Sequence, residues 1–187
     1  MNSSSTTMVD QYRTPVAASL LNTPGWKQSD YSLKPVANWS SEKVQLIAAT
    51  HKEGRNGPFP FFAILSEGTI VSNYDKDAFQ TIVSKAFPAI TAADAPWIAR
   101  LGVLFGAFAP TVVGEFSDQV PNQPGVTAPR KSADVSYEAS GDVHTLLFYA
   151  NDFELNIPYD CKIQIANGVI QSTATRLTKQ VADSEAN

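Results

Sequence analysis

The tetrapeptide Ala166-Asn167-Gly168-Val169 lies between two stretches of alternating polarity, CKIQIA and VIQSTATRL. A two-residue type I′ turn needs positive φ at both central positions, and Asn followed by Gly meets that need at least cost. Such a turn leaves the flanking strands little freedom in how they pair, so it predicts a hairpin of defined register and defined faces. No other local feature of the chain narrows its possible folds as far.

The alternation continues upstream. From Ala133 to Leu177 the chain reads as an antiparallel meander of five pieces, ADVSYEA, DVHTLLFYA, FELNI, CKIQIA and VIQSTATRL, with short turns at SGD, ND, IPYD and NG. Side chains alternate along a strand, and opposite residues share a face. One face then collects Val135, Tyr137, Ala139, His144, Leu146 and Phe148, and a turn at Asn151–Asp152 adds Leu155 and Ile157. The other face carries Asp134, Ser136, Glu138, Thr145, Tyr149, Glu154 and Asn156, with Val143 and Leu147 as apolar exceptions. In the last hairpin Cys161, Ile163, Ile165 and Ile170 line up opposite Lys162, Gln164 and Gln171. The geometry of IPYD decides whether that row joins the first apolar face.

Two helices are expected before the meander. In NYDKDAFQTIVSKAFP, Ala78, Phe79, Ile82, Val83 and Ala86 recur at helical spacing, Asn73 or Asp75 is placed to cap, and Pro88 ends the run. A second helix starts at Asp94, with Pro96 in its first turn, and stops before Pro110. An uncharged run from Leu101 to Gly114 begins in this helix and is cut by Pro110; it is shorter than the roughly 20 apolar residues of a membrane span. A buried helix is the reading that fits. Ala99, Gly102, Gly106 and Ala109 place small residues along one side, and two glycines inside a helix cost about 1 kcal/mol each relative to alanine. Close packing against a sheet, another helix or a second subunit would offset that cost. Ile98, Leu101, Leu104, Phe105 and Phe108 make the helix apolar on its other side too.

Farther upstream, SSEKVQLIAATHKEG carries both helix-boundary and strand signals, and the alternation of Val44, Leu46 and Ala48 favours a strand. GRNGPFP is a loop, and FFAILSEGTIVS reads as strand, turn, strand. Residues 1–38 read as an extended N-terminal arm, although Trp26 and Tyr31 there, and Trp39 just beyond, are aromatic enough to lie on a surface. Residues 39–180 are expected to form one domain and 181–187 a tail. The fold class is therefore α+β, with a curved antiparallel sheet, the C-terminal meander, packed against two central helices. Between those helices and the meander, SDQVPNQPGVTAPRKS is long and Pro-rich, which suits a lid, a binding loop or a connector.

Composition excludes several classes. Charged residues are 17% of the chain, below the usual ~25%, so much of the surface is polar but uncharged or is covered by another subunit. A homo-oligomer is expected. Net charge is −4 and no Lys/Arg cluster exists, which removes the counterion-release affinity that nucleic-acid binding needs. Cys161 is the single cysteine, so no intramolecular disulfide forms. The first residues lack the basic start and long apolar core of a secretion signal, and a cytoplasmic location is expected.

The apolar sheet face is where a ligand would sit. Leu146, Phe148 and Leu155 from the sheet, with Phe105 and Phe108 from the helix, would wall a pocket for a small apolar ligand, which is the first functional expectation. His144, Tyr137 and Asp142 are the polar groups of that region. They define a second expectation, a cofactor-independent isomerase, cyclase or dehydratase with His144 as acid or base and Asp142 setting its tautomer. The more ordinary role for such a histidine is a core residue bonded to the tyrosine. A third expectation is a structural or assembly protein without a pocket. Cys161 reads as a small buried hydrophobe. No cofactor or metal site is expected: two histidines and one cysteine are too few for zinc, DKD at 75–77 lacks the rest of a calcium loop, and no phosphate-cradling glycine motif is present.

Overall fold

The computed structural model describes residues 15–16, 31–36, 41–52, 60–108, 114–152 and 155–178. Trp26, Trp39 and the tail at 181–187 lie outside them. The fold is α+β with two antiparallel sheets, and the chain divides after Ala89 into two compact units, 1–89 and 90–187. Each unit holds one sheet and one described helix.

The first unit contains β1 (Tyr31–Pro35), β2 (Val44–His51), β3 (Phe61–Leu65), β4 (Ile70–Ser72) and α1 (Ala78–Ala86), with the strands in sequence order. Residues 31–35 of the expected arm are thus the edge strand, with Tyr31 opposite His51. Register places Ile47, Ala49, Phe62 and Ile64 on one face, where they form a cluster with fully buried Val16. Val44, Leu46, Ala63, Leu65 and Val71 are buried on the other face, and α1 packs on β3 and β4. Burial on both faces explains why KVQLIAAT showed only partial alternation: a doubly covered strand is apolar on both parities.

Helix α1 buries the predicted stripe, Ala78, Phe79, Ile82, Val83 and Ala86. Its N-cap, however, is Asp77, in the left-handed region at φ 61°, and not Asn73 or Asp75. Those two side chains hold the preceding turn, where the Asn73 carbonyl accepts from Phe61 N–H (3.0 Å) and the Asp75 carboxylate from Ser72 N–H (2.7 Å).

The second unit contains α2 (Ala95–Leu104), β5 (Glu115–Ser117), β6 (Ser136–Ser140), β7 (Val143–Asn151), β8 (Pro158–Ala166) and β9 (Val169–Arg176). The α2 start is as predicted, with proline in the first turn, and the Asp94 carboxylate accepts from both the backbone and the hydroxyl of Thr91. Its end is earlier than predicted. Gly106 takes φ 77°, and Ala107 N–H bonds back to Gly102 O at 2.9 Å, the six-to-one bond of a glycine-terminated helix. A Cβ at Gly106 would meet nothing within 4 Å, so this glycine serves the chain reversal and not the close packing expected of it. Phe105 and Phe108 therefore lie past the helix, though both are buried.

The hairpin signal holds. Ala166 pairs with Val169 across a turn whose Asn167 and Gly168 have φ 50° and 75°. The described end of the FELNI piece, residues 155–157, is not strand. Asn151 pairs directly with Pro158, so β7 passes into β8 through a connection whose described residues are 152 and 155–157. There Asp152 N–H bonds Ile157 O, its side chain accepts from Leu155 N–H, and Asn156 sits at φ 51°. Short-range alternation in FELNI yields to a loop that Asp152 closes on itself. The place of a fifth strand is taken by β5, beside β7.

Strands β5 and β6 run in the same direction along one edge of β7. Ser117 faces Tyr149 and Ser136 faces Leu147, so the two are one strand interrupted by residues 118–135. The strong bend expected of this sheet is absent. Sharp curvature needs bulges or glycine kinks, and the β7–β8 and β8–β9 ladders run without an inserted residue. No helix among the described residues is long and apolar enough to cross a membrane.

Candidate functional site

Register joins the two apolar rows left open by the sequence. Leu146 stands opposite Ile163, Phe148 opposite Cys161 and His144 opposite Ile165, so all six share the inner face that takes α2. The rings of Phe108 and Phe116 lie on Phe148, with centroids at 5.9 and 5.8 Å. Arg100 of α2 places its guanidinium over Trp97 and Phe116, 5.9 and 5.0 Å from the ring centres. Leu146, Phe148, Cys161 and Ile163 are 0% exposed and Phe105 and Phe108 at most 5%. Four of the five residues expected to wall a pocket thus fill the interior of this unit. The fifth, Leu155, is 69% exposed in the β7–β8 connection.

Tyr137 and His144 do meet. They are diagonal neighbours on β6 and β7, their rings are stacked at 6.0 Å, and Tyr137 Oη is 2.9 Å from His144 Nδ1. The same hydroxyl donates to Ile90 O at 3.2 Å. A phenol has one proton, and a carbonyl only accepts. Satisfying both contacts therefore requires that Tyr137 donate to Ile90 and that Nδ1–H donate to Tyr137. Asp142 is exposed in the Gly141–Asp142 turn, and the partner that sets the imidazole's tautomer is Tyr137. Chemically, the arrangement staples residue 90 to the sheet.

Cys161 is fully buried, and burial pushes its thiol up to about 12, with Asp160 adding to the rise and Arg130 opposing it. It is protonated and inert at neutral pH. Among the described residues no three His, Cys, Asp or Glu side chains converge to hold a metal.

The outer face carries an arrangement that sequence reading did not find. Tyr149 lies on this polar face yet is 0% exposed, because the Pro-rich stretch covers it. Its hydroxyl donates to Arg130 O (2.8 Å) and accepts from Arg130 N–H (2.7 Å), while the Arg130 guanidinium lies 4.2 Å from the Tyr149 ring centre and pairs with Asp160. Tyr149 and Asp160 face each other across β7 and β8. The available signal was an aromatic residue on the polar parity beside an Asp, with an Arg in a nearby loop, and only tertiary contact connects them.

Beyond this clasp the outer face is open. Its rows are Ser136–Leu147–Lys162–Thr173, Glu138–Thr145–Gln164–Gln171 and Ser140–Val143–Ala166–Val169. A shallow groove of about 230 Å³, lined by Val143, Gln164, Ala166, Val169 and Gln171, runs there. It is smaller than the ~300–1,000 Å³ typical of small-molecule sites. Comparison with known proteins finds no matching family model, no similar curated protein and no similar solved structure.

Proposed function

We propose that this chain is a non-catalytic interaction or assembly protein whose binding surface is the outer face and outer edge of the C-terminal sheet. One observation carries the reading: the apolar face that could have walled a pocket is consumed by its own core, with Phe148 at 0% exposure beneath Phe108 and Phe116. What is left for a partner is a polar, charge-poor sheet surface on which Val143 is 37% and Val169 60% exposed. Side chains of this kind suit a partner that contributes backbone hydrogen bonds and flat apolar contact.

The catalytic reading is favoured by the 2.9 Å contact between Tyr137 and His144. The second bond of that tyrosine, to Ile90 O, gives the pair a structural duty that needs no substrate. Native mass spectrometry of the purified full chain, beside a denatured control, tests the proposal. The expected result is a protein–protein assembly with no additional small mass. A bound small molecule that leaves on denaturation would overturn it and return the function to ligand binding.

A further inference from the structure

Resting on that reading, we propose that the partner is a second copy of this chain, joined edge to edge through β9 in antiparallel register about a two-fold axis at Thr173.

Sheet edges are templates for further pairing, and proteins that stay monomeric blunt them by shortening, Pro, Lys, bulges or inward charge. Four of the described edges carry such a device. Strand β1 ends in Lys34-Pro35, β4 and β5 have three residues each, and β6 has five with Glu138 at its centre. Strand β9 is different. It has eight residues, VIQSTATR, with no proline, no bulge in its ladder and no charge before the last position. Among the described residues its far edge has no strand beside it.

The strand complements itself. A two-fold axis perpendicular to the sheet keeps inner faces inner, so opposite residues must share parity. Centring on Thr173 puts Thr173 against Thr173, Gln171 against Thr175 and Val169 against Leu177 on the outer face. On the inner face it sets Ser172 against Ala174 and Ile170 against Arg176. Thr–Thr is a favourable cross-strand pair, and no like charges are opposed. The exposed Val169 gains an apolar neighbour at both ends of the junction. Leu177 is in place for this, since its N–H continues the β8 ladder to Pro158 O at 2.9 Å. A single eight-residue ladder is at or below the lower end of the ~1,200–2,000 Å² usual for specific interfaces, so the dimer is concentration-dependent.

The test is sedimentation velocity on the full chain from about 1 to about 200 µM, the range in which an interface of this size is expected to saturate. Wild type and Thr173→Glu are compared, and Thr173→Cys is tested for an intermolecular disulfide. Glu at 173 faces Lys162 within one chain, which favours the monomer fold, but faces its own copy in the dimer. Expected are a wild-type dimer, complete loss of dimer in Thr173→Glu with a melting temperature unchanged at about 1 µM, where both chains are monomeric, and disulfide capture by Thr173→Cys but not by Gln171→Cys. Buried, protonated Cys161 does not interfere. A wild-type monomer throughout the range overturns the proposal, as does a dimer that survives Thr173→Glu. The second outcome leaves the assembly reading standing through another surface, whereas a monomer carrying a small ligand in native mass spectrometry removes both.

Discussion

Replacing Tyr149 by Phe removes one oxygen from the centre of the outer-face clasp and little else. The ring stays buried, its contact with the Arg130 guanidinium stays, and so does the ion pair with Asp160. What is lost is the 2.8 Å bond to Arg130 O and the 2.7 Å bond from Arg130 N–H. Each such bond contributes about 0.5–1.5 kcal/mol net. Arg130 is only half-buried, so its backbone groups regain water when the stretch lifts, and the combined cost falls at about 1.5 kcal/mol, in the lower part of the sum. Because about 1.4 kcal/mol is a factor of ten, the equilibrium for lifting residues 118–135 should shift about tenfold. Limited trypsin digestion reads this directly, since Arg130 and Lys131 are both cleavage sites and cleavage follows the population of the lifted form when reclosing is fast. The variant should be cut about tenfold faster there than wild type. Equal rates would refute the reasoning, because the hydroxyl would then not be what holds the stretch down. A tenfold change accompanied by an equal loss of global stability would mean that the stretch lifts only when the whole unit unfolds.

Two further outcomes are expected. Iodoacetamide at pH 8 should leave Cys161 unmodified in the folded chain and label it only in step with unfolding, because burial holds the thiol near 12; rapid labelling of native protein would contradict its placement against Phe148. Gly106→Ala should destabilise the chain by about 1–2 kcal/mol in urea denaturation, the cost of a Cβ at left-handed φ, with no steric addition because nothing lies within 4 Å. A neutral result would mean the helix end does not need φ 77°.

The parts of the fold legible in the sequence are those decided locally. Asn167-Gly168 set a hairpin register that is found residue for residue, and helix α1 buries the stripe its spacing implied. Alternation also placed Tyr137, His144, Leu146 and Phe148 on one face, as observed. Where local pattern was insufficient, tertiary structure decided. In FELNI, Asp152 found backbone partners that outweighed two alternating apolar residues. Gly106 read as a packing residue because composition does not reveal φ. An apolar face looks the same in sequence whether it lines a cavity or meets Phe108 and Phe116. Arg130 and Tyr149, joined across 19 residues of chain, carried no local signal at all.

The interrupted strand has a consequence for engineering. Residues 118–135 leave the edge of β7 opposite Tyr149 and return opposite Leu147, two ladder positions apart, or about 7 Å at the usual rise per residue. Chain of almost any length can bridge so short a gap, and lengthening it costs only as the logarithm of its size, about 0.6 kcal/mol per doubling. The sheet therefore has a built-in port. A foreign peptide inserted between Ser117 and Ser136 would be displayed from a fixed base, with Arg130 and the Gln123 amide, which donates to Asn156 O at 2.9 Å, as anchors to keep or discard depending on whether the guest should lie flat or swing free.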